Sequence, residues 1–111
     1  MRQIENIGNE GLQTITIPLP NGDLVMTIRY MSVVQIWTMD VTYNGRTLNG
    51  VKLSVGVLHM RSKNYPFDFI CEDTSGAGLD PFQVEDFSTG RTILYLVEAD
   101  EMDEIRGQPV E

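Results

Sequence analysis

Trp37-Thr38-Met39-Asp40-Val41-Thr42-Tyr43-Asn44-Gly45-Arg46-Thr47-Leu48-Asn49-Gly50-Val51-Lys52-Leu53 decides the fold class. Trp37, Met39, Val41 and Tyr43 share one face of an extended chain, and Thr38, Asp40 and Thr42 share the other. That is the period of a half-buried strand. Asn44-Gly45 supplies two residues that tolerate positive φ, as a type I′ hairpin turn requires. Arg46-Thr47-Leu48 reads as a short returning strand and Asn49-Gly50 as another turn. Val51, Leu53, Val55 and Val57 then alternate with smaller or polar residues as a further strand.

The same grammar extends in both directions. Residues 13–17 alternate polar and apolar, and Asn21-Gly22 is a third Asn-Gly pair leading into a strand over 24–30. Residues 33–43 make the longest strand candidate, and residues 67–72 another. Residues 91–97 form the last strand, apolar on both faces at Ile93, Leu94, Tyr95, Leu96 and Val97, which predicts a central position in a sheet or burial by a partner. Asp73-Thr74-Ser75-Gly76 predicts a turn in which Asp73 binds backbone and Gly76 takes positive φ. Asp80-Pro81 suits the start of one helical turn through Asp86. About seven short strands with little helix predict an all-β fold, an antiparallel β-barrel or β-sandwich. Its expected core includes Trp37, Met39, Val41, Leu53, Val55, Phe69, Leu94, Tyr95 and Leu96.

The chain has 111 residues, enough for one core. The expected organisation is a flexible arm over 1–12, one β domain over 13–97 and an acidic tail over 98–111. The longest stretch without a charge, residues 11–22, is broken by Pro18 and Pro20, so no helical membrane span is expected. The start of the chain lacks the apolar run of a secretory leader.

Net charge is −8, and it is unevenly placed. Residues 1–63 hold six basic and four acidic side chains; residues 64–111 hold two basic and twelve acidic. Phosphate contacts need Lys and Arg, so nucleic acid is not an expected partner, nor is an anionic membrane. A basic protein surface, or the other half of a neighbouring copy, fits the distribution; a purely solubilising role for the acidic half fits it too.

Catalytic constellations are sparse. Cys71 is the single cysteine and sits in an apolar strand, reading as a small buried hydrophobe rather than a nucleophile. His59 is the single histidine, with no recognisable partner. One Cys and one His cannot make a zinc site. Glu98, Asp100, Glu101, Asp103 and Glu104 lack the spacing and central Gly of a calcium loop and read as a solvated tail. Trp37, Tyr43 and Tyr95 could line a ligand site, but at alternating strand positions they read as core. Asp73-Thr74-Ser75-Gly76 approaches the Asp-Thr-Gly triplet of dimeric aspartic proteases, with its glycine one residue late.

One ordered set of motifs carries a resemblance. Ile15-Thr16-Ile17-Pro18-Leu19 comes first, then Trp37-Thr38-Met39-Asp40-Val41. After a turn come Leu48, Gly50-Val51-Lys52-Leu53 and Gly56. Phe69-Ile70 and Asp73-Thr74-Ser75-Gly76 lead to Pro81. Phe87, Gly90-Arg91 and Leu94-Tyr95-Leu96 precede an acidic end. Over residues 14–100 the chain resembles the small baseplate plug proteins of contractile-tailed bacteriophages. The resemblance implies a non-catalytic virion component, made in the host cytoplasm, needing no cofactor or metal. It would close or connect the distal end of the tail tube at the central hub. Implied partners are tail tube, hub and spike proteins and copies of the chain itself. Glu98, Asp100, Glu101, Asp103 and Glu104 would be partner contacts. The structural turns would be those at Asn21, Gly22, Asn44, Gly45, Asn49, Gly50, Asp73 and Gly76. An unrelated β-sandwich adaptor or assembly chaperone is the second reading, and an aspartic-protease-like hydrolase a remote third.

Overall fold

Alternation of apolar residues builds two antiparallel sheets over a shared core. A computed structural model describes residues 2–5, 7–19, 22–60 and 65–98. Four strands follow one another as a meander: β2 (Leu12–Leu19), β3 (Gly22–Met31), β4 (Ile36–Tyr43) and β5 (Arg46–Lys52). The second sheet places β7 (Thr92–Val97) between β1 (Arg2–Gln3) and β6 (Asp68–Asp73). All described strand pairings are antiparallel, and the two sheets form an open sandwich rather than a closed barrel.

Register sets apolar opposite apolar on the inner faces. Met26 faces Val41, Ile28 faces Met39 and Tyr30 faces Trp37 across β3 and β4. Phe69 faces Leu96 and Cys71 faces Leu94 across β6 and β7. These residues, except half-buried Tyr30, are buried, as are Leu53, Met60 and Phe67 between the sheets. A one-residue slip would turn each strand inside out, so burial itself fixes the register. The central position predicted for the last strand is where β7 lies. Of the expected core, Val55 and Tyr95 are only half-buried: Val55 makes an isolated parallel bridge to Cys71, and Tyr95 points to the outer side of β7.

Three local expectations are corrected. The strand expected over 33–43 begins only at Ile36; residues 32–35 are the turn between β3 and β4, with Gln35 at φ 53°. Asn49-Gly50 is not a hairpin turn. β5 runs straight through it, and Asn49 and Gly50 together oppose Asp40 alone. Gly50 takes φ 70°, as the left-handed residue of a β-bulge does. Its N–H donates to Asp40 Oδ1 at 2.7 Å, while Arg29 Nη2 reaches Asp40 Oδ2 at 2.6 Å. The helical turn expected after Pro81 is a run of tight turns, in which the Asp86 carboxylate takes the Phe82 and Gln83 N–H groups.

Asn44-Gly45 does form the predicted hairpin, with φ of 49° and 78°. Gly22 opens β3 with φ 145°; its expected turn partner Asn21 lies outside the described residues. The segment expected as an arm is anchored to the domain. Arg2 and Gln3 pair with Leu96 and Tyr95, Ile4 N–H donates to Leu94 O at 2.8 Å, and Ile4 and Ile7 are buried. Two isoleucines three residues apart were too sparse a pattern to reveal this docking.

A Cβ added at Gly50 would meet nothing within 4 Å, so Gly50→Ala tests backbone strain alone. Equilibrium urea unfolding should show a loss of about 1–2 kcal/mol, the cost of a left-handed non-glycine residue.

Candidate contact surface

Four described aspartates of the acidic half, Asp68, Asp73, Asp80 and Asp86, are spent on the chain's own backbone. Asp68 Oδ1 accepts from Met60 N and Phe69 N, both at 2.7 Å. Asp80 Oδ1 accepts from Val55 N at 2.9 Å. Asp73 Oδ1 accepts from Ser75 N at 2.9 Å and Ser75 Oγ at 2.6 Å, and its Oδ2 from Leu79 N at 2.9 Å. Asp86 Oδ2 takes Phe82 N and Gln83 N at 2.7 and 2.8 Å. Each of these aspartates satisfies N–H groups that have no partner in a strand ladder. The turn at Asp73 was expected; for Asp68, Asp80 and Asp86 composition showed the charge but not this use.

Arg91 joins two of these acceptors. Its guanidinium grips Asp86 through Nε–Oδ1 at 2.9 Å and Nη2–Oδ2 at 3.0 Å, and its Nη1 lies 3.2 Å from Asp73 Oδ1. Its Nη1 and Nη2 also donate to Leu79 O and Asp80 O. A planar fork suits such bidentate bonding. Bonds from Ser75 and Leu79, with Arg91 nearby, hold the Asp73 carboxyl down at about 2. Burial pushes the Asp86 carboxyl up, but bonds from Arg91, Gln83 and Phe82 outweigh it and the net shift is downward. Asp73 thus stays ionised and bonded within its own loop, the turn predicted for it; Gly76 has φ 79°. That is the reverse of an aspartyl group sharing a proton with a twin.

The remaining titratable candidates are also occupied. His59 Nε2 accepts from Ser54 N at 2.8 Å, which puts its proton on Nδ1, donated to Phe69 O at 2.7 Å. Burial, with Asp80 adding to it, pushes the Cys71 thiol up to about 12, so it stays protonated at neutral pH. A cavity of about 450 Å³ lies between residues 3–5 with Ile7 on one side and residues 87–90 and 92–94 on the other, and Thr92 in its wall has a buried hydroxyl with no partner among the described residues. Among the described residues no cluster of His, Cys, Asp and Glu could hold a metal ion.

Exposed apolar side chains gather at one end of the four-stranded sheet. Val33 is 95% exposed and Val34 57%, at the tip of the β3–β4 turn; Met31 and Leu12 beside them are 45% and 63% exposed. Leu12 pairs with Arg29, two residues before Met31, which brings the four to the same end. Scattered single apolar residues are ordinary, whereas these exposed side chains lie at one end of the sheet. Sequence reading assigned these valines to a strand and so missed them; the signal was Ser32, a polar residue breaking the alternation just before them. Of the acidic candidates, Glu98 pairs with Arg2 at 3.1 Å. Asp100, Glu101, Asp103 and Glu104 lie outside the described residues.

A family model described as cyanophage baseplate Pam3 plug gp18 matches residues 1–100. The chain belongs to this family. No curated protein matches it. Membership of the baseplate plug family gives the chain a structural role in a phage baseplate.

Both perturbed carboxyls are lowered in the folded state, so their stabilisation is complete above the ordinary aspartate range and is lost as pH falls through the folded value. Thermal unfolding should therefore show stability dropping between pH about 4 and about 2. Asp73→Asn and Asp86→Asn should each be less stable at neutral pH and flatten that drop.

Proposed function

We propose that this chain is a non-catalytic plug, closing or connecting the distal end of the tail tube at the baseplate hub. The family match over residues 1–100 carries this reading. The Asp73 geometry supports it against the protease alternative, because that carboxylate is committed to Ser75, Leu79 and Arg91. The partners in this reading are tube, hub and spike proteins. The Val33-Val34 turn is the apolar anchor that enters a pocket on one of them. Its neighbours Met31 and Leu12 widen the contact. The acidic residues 98–104 supply an electrostatic rim, acting on the approach of a basic neighbour.

Quantitative mass spectrometry of purified particles tests the location. The chain should be present at a few copies per particle, in constant ratio to hub proteins and independent of tube length. Recovery only in the unassembled fraction would overturn the plug reading in favour of an assembly chaperone.

Val33→Asp combined with Val34→Asp tests the anchor. The exposed turn should tolerate both, leaving urea unfolding within about 0.5 kcal/mol of the parent. Incorporation into particles should nevertheless fall sharply. Normal incorporation would remove the turn from the contact.

A further inference from the structure

We propose that the outer edge of β2 is a self-association edge, pairing antiparallel with β2 of a second copy of this chain. The backbone shows which groups are free. Tyr30 N–H donates to Gly11 O at 2.7 Å, in the same register that pairs Leu12 with Arg29. Direction alternates along an antiparallel ladder. Gln13, Ile15 and Ile17 therefore face β3, and Leu12, Thr14, Thr16 and Pro18 turn their backbone groups outward. Pro18 fits this assignment, since a proline inside a sheet is tolerated where its missing N–H points off the edge. Among the described residues, no backbone group bonds the outward N–H and C=O of Leu12, Thr14 or Thr16.

The other edges of the molecule are managed. β5 carries Arg46, Lys52 and the Asn49-Gly50 bulge, three devices that discourage pairing. The β6 edge is covered by residues 53–59, through Gly56 N–H to Cys71 O and His59 N–H to Phe69 O. β1 is two residues long. β2 alone offers eight residues with no charge, Leu12-Gln13-Thr14-Ile15-Thr16-Ile17-Pro18-Leu19. Residues 2–5 share a cleft of about 230 Å³ with residues 15–18, and among the described residues no backbone hydrogen bond joins the two segments.

A second copy suits this edge for two reasons. Centred on Thr14, antiparallel pairing sets Thr14 against Thr14, Leu12 against Thr16 and Gln13 against Ile15. No charge then meets its own image, and Pro18 lies outside the ladder. The sheet being extended is also the less acidic part of the molecule: its strands carry Arg29, Arg46 and Lys52 against Asp23 and Asp40.

The inference does not depend on the baseplate reading, and its test needs only the purified chain. Sedimentation of the full chain across a wide concentration range should show reversible association to the mass of two chains. Thr16→Pro removes an outward donor at a position equivalent to Pro18. Thr14→Lys places like charges face to face on the two-fold axis. Each should weaken association roughly tenfold or more, since the symmetry doubles every lost bond. Near-UV circular dichroism should be unchanged, at least in the lysine variant, whose backbone donors are intact. Thr47→Lys on β5 should leave association as it was. A parent chain that stays single at every concentration would overturn the proposal, and so would a dimer insensitive to both β2 variants.

Discussion

Trp37 is the side chain on which both halves of the molecule bear. It is fully buried, and its indole N–H reaches Gln83 O at 3.0 Å. The ring packs edge-on against Phe87 at 5.3 Å and tilted against Tyr30 at 5.4 Å. Its own carbonyl accepts from Leu53 N–H at 2.9 Å. One residue of β4 therefore ties the meander to the irregular segment between β6 and β7. That segment has no ladder of its own, so its shape depends on what it packs against and on the aspartates that gather its N–H groups. Aromatic geometry of this kind contributes beyond the area it buries. Tyr30 repeats the link from the neighbouring strand, with its hydroxyl on Phe82 O at 2.8 Å.

What could be read from the sequence was what neighbours along the chain determine. The Asn44-Gly45 hairpin was legible because both residues need positive φ and nothing distant is required. The same dipeptide at Asn49-Gly50 was misread because a left-handed glycine serves a bulge as well as a turn. The choice between them rests on Asp40, ten residues away in sequence, whose carboxylate takes the Gly50 N–H. Val33 and Val34 carry strong strand propensity, yet chain reversal between β3 and β4 has to happen somewhere, and Gln35 at φ 53° is where it completes. Propensity is a weak prior against such tertiary demands.

The contact features were less legible than the fold. Acidic residues looked like a partner-binding or solvating half, and at Asp68, Asp73, Asp80 and Asp86 they proved to be internal acceptors. Their donors sit between one and twenty-five residues away in sequence, and only the Asp73 turn, with a donor two residues on, was legible. The role came instead from an ordered set of weak motifs, spread over most of the chain, and the family match covers the same span. Some of these motifs are ordinary strand, while others mark points where backbone does something a generic strand does not: the bulge at Gly50, the Asp73 turn, the Gly90-Arg91 approach to β7.

The pairing of β1 with β7 joins Arg2 to Leu96, the first described strand to the last. During synthesis the two sheets must therefore mature on different schedules. The meander from β2 to β5 uses only near neighbours and can zip as it emerges from the ribosome. The second sheet has to wait for residues 92–97, because its middle strand is made last. Until then Ile4, Ile7 and Phe69 have no β7 to lie against, and the loop closed between Arg2 and Leu96 spans nearly the whole chain. Long-range closure of this sort is slow and leaves apolar surface open in the interval. The protein is thus a late-closing fold, in which the incomplete chain, rather than the finished one, is the species most exposed to unwanted partners.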